Sequence, residues 1–154
     1  MIEIRNLVKY YGDILAVNDI TFTVNKGEIL GFLGPNGAGK STTMNILTGF
    51  LSATSGTVTV NGYDILDNPQ QAKMCIGYLP ENPPLYLDMT VIEYLRFVSE
   101  LKGVPPAQRI KQLAEIMKLV RITDVSGRLI KNLSKGYRQR VGIAQAMVGN
   151  PEVL

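Results

Sequence analysis

The chain has 154 residues, of which 45% are hydrophobic and 19% charged, and its formal net charge at pH 7 is +3. This composition is typical of an ordinary globular domain and excludes a low-complexity or disordered chain. The mild positive charge permits nucleic acid as a partner but does not argue for it. Because the chain has no histidine, histidine-based triads, metal sites and general bases are excluded from anything it does alone.

The single cysteine and the N-terminus indicate a reducing, cytoplasmic setting. Cys75 cannot form an internal disulfide, no thiol cluster offers a zinc site, and in the string MCIGYL we expect Cys75 to be a small buried residue. The N-terminus is charged from its third residue, and no apolar run approaches about 18 residues. We therefore expect neither a signal peptide nor a membrane-spanning helix.

The first third of the chain is predicted to form strands. Residues 20–24 alternate between apolar and polar side chains, which predicts a half-buried strand, and residues 25–27 supply a turn. The next run, EILGFLG at 28–34, is apolar without alternation, as expected of a strand covered on both faces. Residues 57–60 alternate again before an Asn-Gly turn, and MCIGYL at 74–79 is a candidate for a further short buried strand.

A phosphate-binding pattern follows the apolar run. Residues 34–41 read GPNGAGKS, which fits G-x-x-x-x-G-K-[ST] at every fixed position between a predicted strand and a predicted helix. Glycines let consecutive N–H groups turn toward phosphate oxygens, and the helix adds the positive end of its dipole. We expect the Lys40 ammonium on the β and γ phosphates and the Ser41 hydroxyl on Mg²⁺. The predicted contacts are Gly34, Pro35, Asn36, Gly37, Ala38, Gly39, Lys40, Ser41 and Thr42.

Two other interpretations of this loop are disfavoured. A chance glycine-rich turn carrying Lys-Ser is uncommon at average glycine usage, and the strand and helix context makes a chance match rarer still. A GTPase is expected to show N-K-x-D after the loop, whereas the similar string NKGE at 25–28 precedes it and lacks the Asp.

From Thr90 onward the apolar period becomes helical. Thr90 and Glu93 form a capping-box pattern, and Gly103 is expected to end the first helix. A second helix follows a Pro-Pro pair, and a third begins after Ser134, while residues 151–154 look like the start of a strand. The side chains expected to face the core are Val91, Tyr94, Leu95 and Val98 in the first helix, Ile110, Leu113, Ile116, Met117 and Val120 in the second, and Tyr137, Val141, Ala144 and Val148 in the third.

The string LSKGYRQR at the start of the third helix, together with the phosphate loop, resembles the ATP-binding cassette (ABC) transporter ATPases. Their signature is usually L-S-G-G-Q: Leu133, Ser134 and Gly136 match it, while Lys135 replaces a Gly and Tyr137 replaces the Gln. The variant is similar to the subgroup that serves two-component exporters. Independently of the resemblance, Ser134 is a natural N-cap, and Gly136 leaves N–H groups uncovered at a positive helix end that suits an anion. The alternative is a capped helix with a solvated basic end.

The resemblance implies an α/β fold. It is a P-loop NTPase (RecA-like) core with an antiparallel β subdomain and an inserted α-helical subdomain, and the last core strands lie outside this sequence. Residues 1–88 would form the β subdomain and the P-loop part of the core, and residues 89–132 the helical subdomain. Residues 133–154 would form the signature helix and the start of the Walker B strand, in one incomplete ABC domain.

The resemblance also implies ATP and Mg²⁺ as cofactors. Tyr11 would stack on adenine, with ordinary packing of Tyr10 or Tyr11 as the alternative. Glu81 stands where the family's Q-loop has Gln and can serve Mg²⁺ through water; the alternative is a solvated loop acid. The expected catalytic residues are therefore Lys40 and Glu81, and the metal ligands Ser41 and Glu81. The expected contacts to ATP held by a second cassette are Ser134, Lys135, Gly136 and Tyr137.

Members of the family work as head-to-tail dimers on a membrane permease. The expected partners are therefore a permease and an identical or different cassette at the cytoplasmic face of the membrane, with no nucleic acid. The Walker B Asp-Glu pair and the switch histidine are not among these residues, so we expect the 154-residue chain alone to bind nucleotide weakly and hydrolyse almost none. Two alternatives stay open: a permease-free cassette acting on ribosomes or nucleic acid, and a naturally truncated regulatory cassette.

Overall fold

The computed structural model describes all 154 residues and contains four strands and five α-helices. The strands are β1 (Ile2–Tyr11), β2 (Ile14–Val24), β3 (Ser55–Val60) and β4 (Tyr63–Asp64). The helices are α1 (Lys40–Leu47), α2 (Pro69–Met74), α3 (Val91–Leu101), α4 (Pro106–Leu119) and α5 (Lys135–Met147), and 3₁₀ turns lie at Thr123–Val125 and Ile130–Asn132. The chain divides into two units, Met1–Ile76 with Val153, and Gly77–Glu152 with Leu154.

An antiparallel sheet of order β2-β1-β3-β4 dominates the first unit. β1 is central, so Ile4 pairs with Phe22 of β2 on one side and with Val58 of β3 on the other. Asn61 and Gly62 both adopt left-handed backbone conformations and close the β3–β4 hairpin, as the Asn-Gly pair predicts. The strands predicted at 20–24 and 57–60 are confirmed. The buried strand residues are Ile2, Ile4, Leu7, Val17, Val24, Val58 and Val60.

The covered strand predicted at residues 28–34 is wrong for this structure. The segment has no regular secondary structure, and Ile29 and Leu33 are 98% and 92% exposed. A strand buried on both faces needs hydrogen-bonded neighbours on both sides, and the chain contains only one parallel pairing, the single bridge between Ile76 and Val153. The apolar run therefore has no ladder partner, and the phosphate loop follows an irregular segment.

The short strand predicted at 74–79 is reduced to that bridge. Helix α2, which the sequence did not predict, extends to Met74, and the Val153 N–H then donates to the Cys75 carbonyl at 3.0 Å. Cys75 is buried, as predicted. The bridge at Val153 agrees with the expectation that the last four residues begin a strand.

Helices α3, α4 and α5 share one hydrophobic core in the second unit. The predicted capping box is present, because the Thr90 hydroxyl accepts from the Glu93 N–H and the Glu93 carboxylate accepts from the Thr90 N–H at 2.8 Å. The Thr90 hydroxyl also donates to Glu93 Oε2 at 2.7 Å, and this bond, followed by the one from the Thr90 N–H, lowers the pKa of Glu93. The Tyr94 hydroxyl donates to Gln145 Oε1 at 2.7 Å, and burial raises the pKa of Tyr94 to about 12, with a smaller contribution from Tyr86.

The predicted apolar stripes are largely confirmed. Every predicted core position of α3 is buried, as are the central stripe of α4 and the residues Val141, Ala144 and Val148 around α5. Val120 and Tyr137 are partly buried against this core, and Ile110 is the exception, since it is 76% exposed near the start of α4. The helical period fixes the direction of a side chain but not how far along the helix the neighbouring elements reach, and burial in α4 begins only at Leu113.

Candidate functional site

The phosphate loop is an open turn between the irregular segment and α1. Gly37 and Gly39 adopt left-handed backbone angles, with φ values of 83° and 81°, and the Ala38 N–H donates to the Pro35 carbonyl at 3.2 Å. Such angles are strained for residues with a side chain and free for glycine. The glycines of the motif therefore set the curvature of the loop.

Gly39 has a second constraint, since it is the N-cap of α1 and lies against β2. A Cβ atom there would collide with the Ala16 carbonyl oxygen and lie 3.2 Å from Val17 Cγ2. No side chain caps α1. The first N–H groups of a helix have no acceptor within it, so the amides at Lys40, Ser41 and Thr42 remain available to an anion.

Lys40 folds back over the loop. Its Nζ donates to the carbonyl oxygens of Gly34 at 2.6 Å and Pro35 at 2.8 Å. These neutral acceptors hold the ammonium beside the amides that a phosphate would approach. A phosphate oxygen, being charged, makes a stronger acceptor than a carbonyl and can replace them.

The first turn of α1 grades from exposed to buried. Ser41 is exposed, Thr42 is half-buried, and Thr43 is buried with its hydroxyl donating to the Gly39 carbonyl at 3.0 Å. The chain has no cluster of three His, Cys, Asp or Glu side chains that could hold a metal by itself. The accessible Ser41 hydroxyl fits a different arrangement, in which Mg²⁺ arrives with nucleotide phosphates and takes only one or two protein ligands.

Tyr11 ends β1 and pairs with Ile14 across the first hairpin. Neither Tyr10 nor Tyr11 is buried; the two residues are 45% and 47% exposed. Lys9 Nζ lies 5.4 Å from the centroid of the Tyr11 ring. The ring is therefore accessible in the same unit as the phosphate loop.

The second unit contains Glu81, in an irregular segment that packs on α5. Glu81 itself is exposed. Gly142 of α5 makes the packing possible, since a Cβ there would lie 2.6 Å from Leu79 Cδ1 and 3.1 Å from Pro83 Cβ. Gly77 is equally constrained, because its Cβ would meet the backbone of Ala146. This contact was not predicted from the sequence, although a glycine inside a helix is a signal of close approach.

The N-terminus of α5 carries the signature residues. Ser134 is the N-cap, as predicted, and its hydroxyl accepts from the Tyr137 N–H at 3.4 Å, while Lys135 and Gly136 are exposed. A Cβ at Gly136 would find no atom within 4 Å, and its φ lies outside the left-handed region. Neither backbone strain nor packing within this chain therefore requires glycine at this position.

The Tyr137 side chain is contacted at its hydroxyl and at one face of its ring. Its hydroxyl donates to Asp124 Oδ2 at 3.0 Å, and the Arg140 guanidinium lies 5.6 Å from its ring centroid. Arg140 Nη1 in turn donates to the Arg121 carbonyl at 3.2 Å. Asp124 precedes Tyr137 by thirteen residues and matches no local pattern, so sequence reasoning did not find it.

Arg138 fixes the same turn to the preceding 3₁₀ segment. Its guanidinium donates to the carbonyl oxygens of Ile130 at 3.3 Å and Lys131 at 2.7 Å. The basic end of α5 is therefore not merely solvated, because two of its arginines satisfy carbonyl groups at the ends of other elements.

The predicted site residues thus fall into two groups. Tyr11 and the loop residues from Gly34 to Thr42 lie in the first unit, and Glu81 and residues 134–137 in the second. None of the helices is long and apolar enough to cross a membrane.

Comparison with known proteins gives a family and a fold. The family described as ABC transporter matches residues 17–154. The linearmycin resistance ATP-binding protein LnrL of Bacillus subtilis (strain 168) is 37% identical over 154 residues, which are 100% of this chain and 50% of that protein. The chain spans about half the length of most curated relatives that it matches.

Solved structures agree with this result. The structure of an ATP-binding subunit of an ABC transporter has a TM-score of 0.91 and 31% identity, and the match covers 98% of this chain and 63% of that one. A dimeric post-hydrolysis state of the cassette MJ0796, bound to ADP and Pi, has a TM-score of 0.84 and 25% identity, covering 98% and 71%. The predicted fold class, an α/β P-loop cassette with an antiparallel sheet, is confirmed.

Proposed function

Because the chain belongs to the ABC transporter family, we propose that it forms the ATP-binding part of a subunit that powers transport by a membrane permease. The subunit lies at the cytoplasmic face of the membrane. Similarity to a Nod factor export ATP-binding protein I of Cupriavidus pinatubonensis, 34% identical over 154 residues, supports the exporter-like subgroup suggested by the signature variant. The 1–88, 89–132 and 133–154 divisions of the sequence belong to the same proposal.

The geometry of the phosphate loop is the observation that carries the proposal. Two left-handed glycines, an uncapped first helical turn and a lysine held by neutral carbonyls bring several positively polarised donors to one loop. Consecutive backbone amides and an ammonium on one loop suit the phosphate chain of a nucleoside triphosphate. We therefore assign phosphate binding to Gly34 through Thr42 and charge neutralisation at the β and γ phosphates to Lys40.

The remaining roles are those that the family resemblance implies, and accessibility and chemistry support them. The exposed face of Tyr11 stacks on adenine, which needs only an accessible ring. Ser41 and Glu81 serve Mg²⁺, the serine through its hydroxyl and the glutamate through water. When bound with ATP, the cation neutralises charge that develops on the phosphates.

Ser134, Lys135, Gly136 and Tyr137 contact the nucleotide of a second cassette, in a homodimer or a heterodimer. The absence of any local requirement for glycine at 136 supports this role, since an uncovered backbone gives a phosphate room to approach. The dimeric MJ0796 cassette with ADP and Pi is consistent with such an assembly. ATP hydrolysis belongs to the whole protein, and the 154-residue chain alone turns over almost none.

Titration calorimetry with Mg-ATP tests the nucleotide site. Lys40→Met should weaken binding about tenfold or more, because a charge-assisted contact to phosphate is lost. Lys26→Met is the matched control, since Lys26 is an exposed lysine in a turn of the same unit. Equal affinities for the two variants would contradict the assignment.

Cell fractionation tests the permease partnership. We expect the protein to sediment with membranes when its permease is present and to stay in the soluble fraction when the permease gene is deleted. Recovery with ribosomes or RNA in both strains would contradict the transport role.

A further inference from the structure

The first turn of α5, residues Ser134–Tyr137, is held weakly by its own cap, and we call it the signature turn. The Ser134 hydroxyl accepts from the Tyr137 N–H at 3.4 Å. This distance is longer than the usual N–H···O donor–acceptor distance of about 2.7–3.2 Å. The amides at Lys135 and Gly136 have no helical acceptor. The orientation of this turn therefore depends on side chains that tie it to other elements.

Tyr137 makes the most specific of these ties. Its hydroxyl reaches Asp124 Oδ2 at 3.0 Å, across the junction between the 3₁₀ turn Thr123–Val125 and α5. Arg140 lies over the ring and is itself fixed by the Arg121 carbonyl. The ring is thus restrained at its hydroxyl and at one face.

Asp124 presents its carboxylate from a rigid point. Ile122, just before its 3₁₀ turn, and Val125, the last residue of that turn, are 0% and 2% exposed and belong to the hydrophobic core of the unit. The backbone of Asp124 therefore cannot move far without disturbing that core. An acceptor fixed in this way can set the position of Tyr137.

We propose that Asp124 is a positioning residue that acts through Tyr137 to orient the signature turn toward the nucleotide of a second cassette. The inference rests on the proposed function, because it assumes that this turn meets a phosphate. It assigns a role to a residue outside the signature. It also explains how tyrosine can stand in place of the usual glutamine, since the hydroxyl supplies a donor to an acceptor that the neighbouring turn already holds in place.

The test compares Tyr137→Phe, Asp124→Ala and the double variant in the 154-residue chain. Asp88→Ala is the matched control, because Asp88 is also an exposed acid that pairs with a side chain of the same unit, Lys131 at 3.0 Å. Asp124→Asn keeps an acceptor oxygen and is the rescue variant. Amide hydrogen exchange of the peptide covering residues 133–139 is measured with and without Mg-ATPγS, and ATP affinity is measured by calorimetry.

We expect the two single variants to speed exchange in this peptide about threefold to tenfold, the effect of one lost hydrogen bond. The double variant should exchange no faster than either single one, and Asp124→Asn and Asp88→Ala should match the unchanged chain. Mg-ATPγS should slow exchange in the unchanged chain and much less in Tyr137→Phe. ATP affinity, set by the phosphate loop, should stay within about twofold in Asp88→Ala and Asp124→Asn.

Additive effects in the double variant would overturn the proposal, as would unchanged exchange in Asp124→Ala. If Mg-ATPγS does not change the exchange rate of the signature turn, the proposal is overturned, while the assignment of nucleotide binding to the phosphate loop still stands. Failure of the unchanged chain to bind Mg-ATP at all would instead refute the proposed function, and the inference with it.

Discussion

Replacing Gly39 by alanine tests whether the phosphate loop is shaped by its contact with β2. Gly39 has a φ of 81°, and its added Cβ would collide with the Ala16 carbonyl oxygen. The atom in the way belongs to the backbone, so no change of side-chain rotamer can relieve the collision. The loop or the strand must move.

The cost has two parts. A left-handed conformation costs an alanine roughly 1–2 kcal/mol. Forcing a methyl group into a closed space adds about 1–3 kcal/mol. Together they should lower the free energy of unfolding by about 2–5 kcal/mol, and the melting temperature by about 2–4 °C for each kcal/mol in a chain of this length.

Two other glycines separate these parts. Gly37 has a φ of 83° but open space around its Cβ position, so Gly37→Ala should cost only the conformational share, about 1–2 kcal/mol. Gly136 has neither a left-handed φ nor a steric neighbour, so Gly136→Ala should stabilise the chain by about 0.4–1 kcal/mol. The same change should weaken nucleotide-dependent pairing if the uncovered backbone meets a phosphate.

Urea unfolding followed by circular dichroism measures all three variants, with equal slopes required for comparison. The expected order of stability is Gly136→Ala, unchanged chain, Gly37→Ala, Gly39→Ala. A Gly39→Ala variant within about 0.5 kcal/mol of Gly37→Ala would refute the steric argument. A destabilised Gly136→Ala variant would refute the conclusion that glycine at 136 has no structural role.

Three further predictions concern the second unit. Leu113→Ala should cost about 2–5 kcal/mol in urea unfolding because Leu113 is 1% exposed, whereas Ile110→Ala should change the free energy by no more than about 0.5 kcal/mol; a costly Ile110→Ala would contradict the observed end of burial in α4. Because the Thr90 hydrogen bonds lower the pKa of folded Glu93 below 4.5, their contribution is present above pH 4.5 and lost as the pH falls through the folded value. Glu93→Gln should therefore flatten the acid branch of the stability curve, and an unaltered branch would count against the capping box. Because burial raises the pKa of Tyr94 from 10.0 to about 12, its contribution is complete below pH 10 and lost as the pH rises through about 12; Tyr94→Phe should remove this alkaline loss, and a persisting loss would point to another group.

Local signals predicted the parts of the fold that depend on local chemistry. The capping box at Thr90 and Glu93 defined the start of α3, and the Asn-Gly pair after β3 defined a hairpin, because in each case the deciding groups lie within a few residues. The apolar run at 28–34 was misread, since an unbroken apolar run indicates a strand covered on both faces but does not show which strands would pair with its two edges. The helical period alone likewise could not predict where along α4 burial begins.

The candidate site divides in the same way. The motif predicted a glycine-rich turn before a helix, because glycine is the residue that adopts left-handed backbone angles without steric cost. Gly37 and Gly39 adopt such angles. The hydrogen bond between Asp124 and Tyr137 joins two elements whose approach depends on the packing of the whole unit, so no spacing rule could predict it. The roles of Tyr11, Glu81 and the signature residues in nucleotide binding stay predictions.

The close approach of Leu79 and Pro83 to Gly142 has an evolutionary consequence. Position 142 can accept a larger side chain only if the side chains opposite shift or give up volume, because the Cβ position already lies 2.6 Å from Leu79 Cδ1 and 3.1 Å from Pro83 Cβ. Substitutions at 142 and 79 should therefore be inherited together among homologues, with alanine or serine at 142 accompanied by a smaller residue at 79. Two positions more than sixty residues apart in the sequence would then covary.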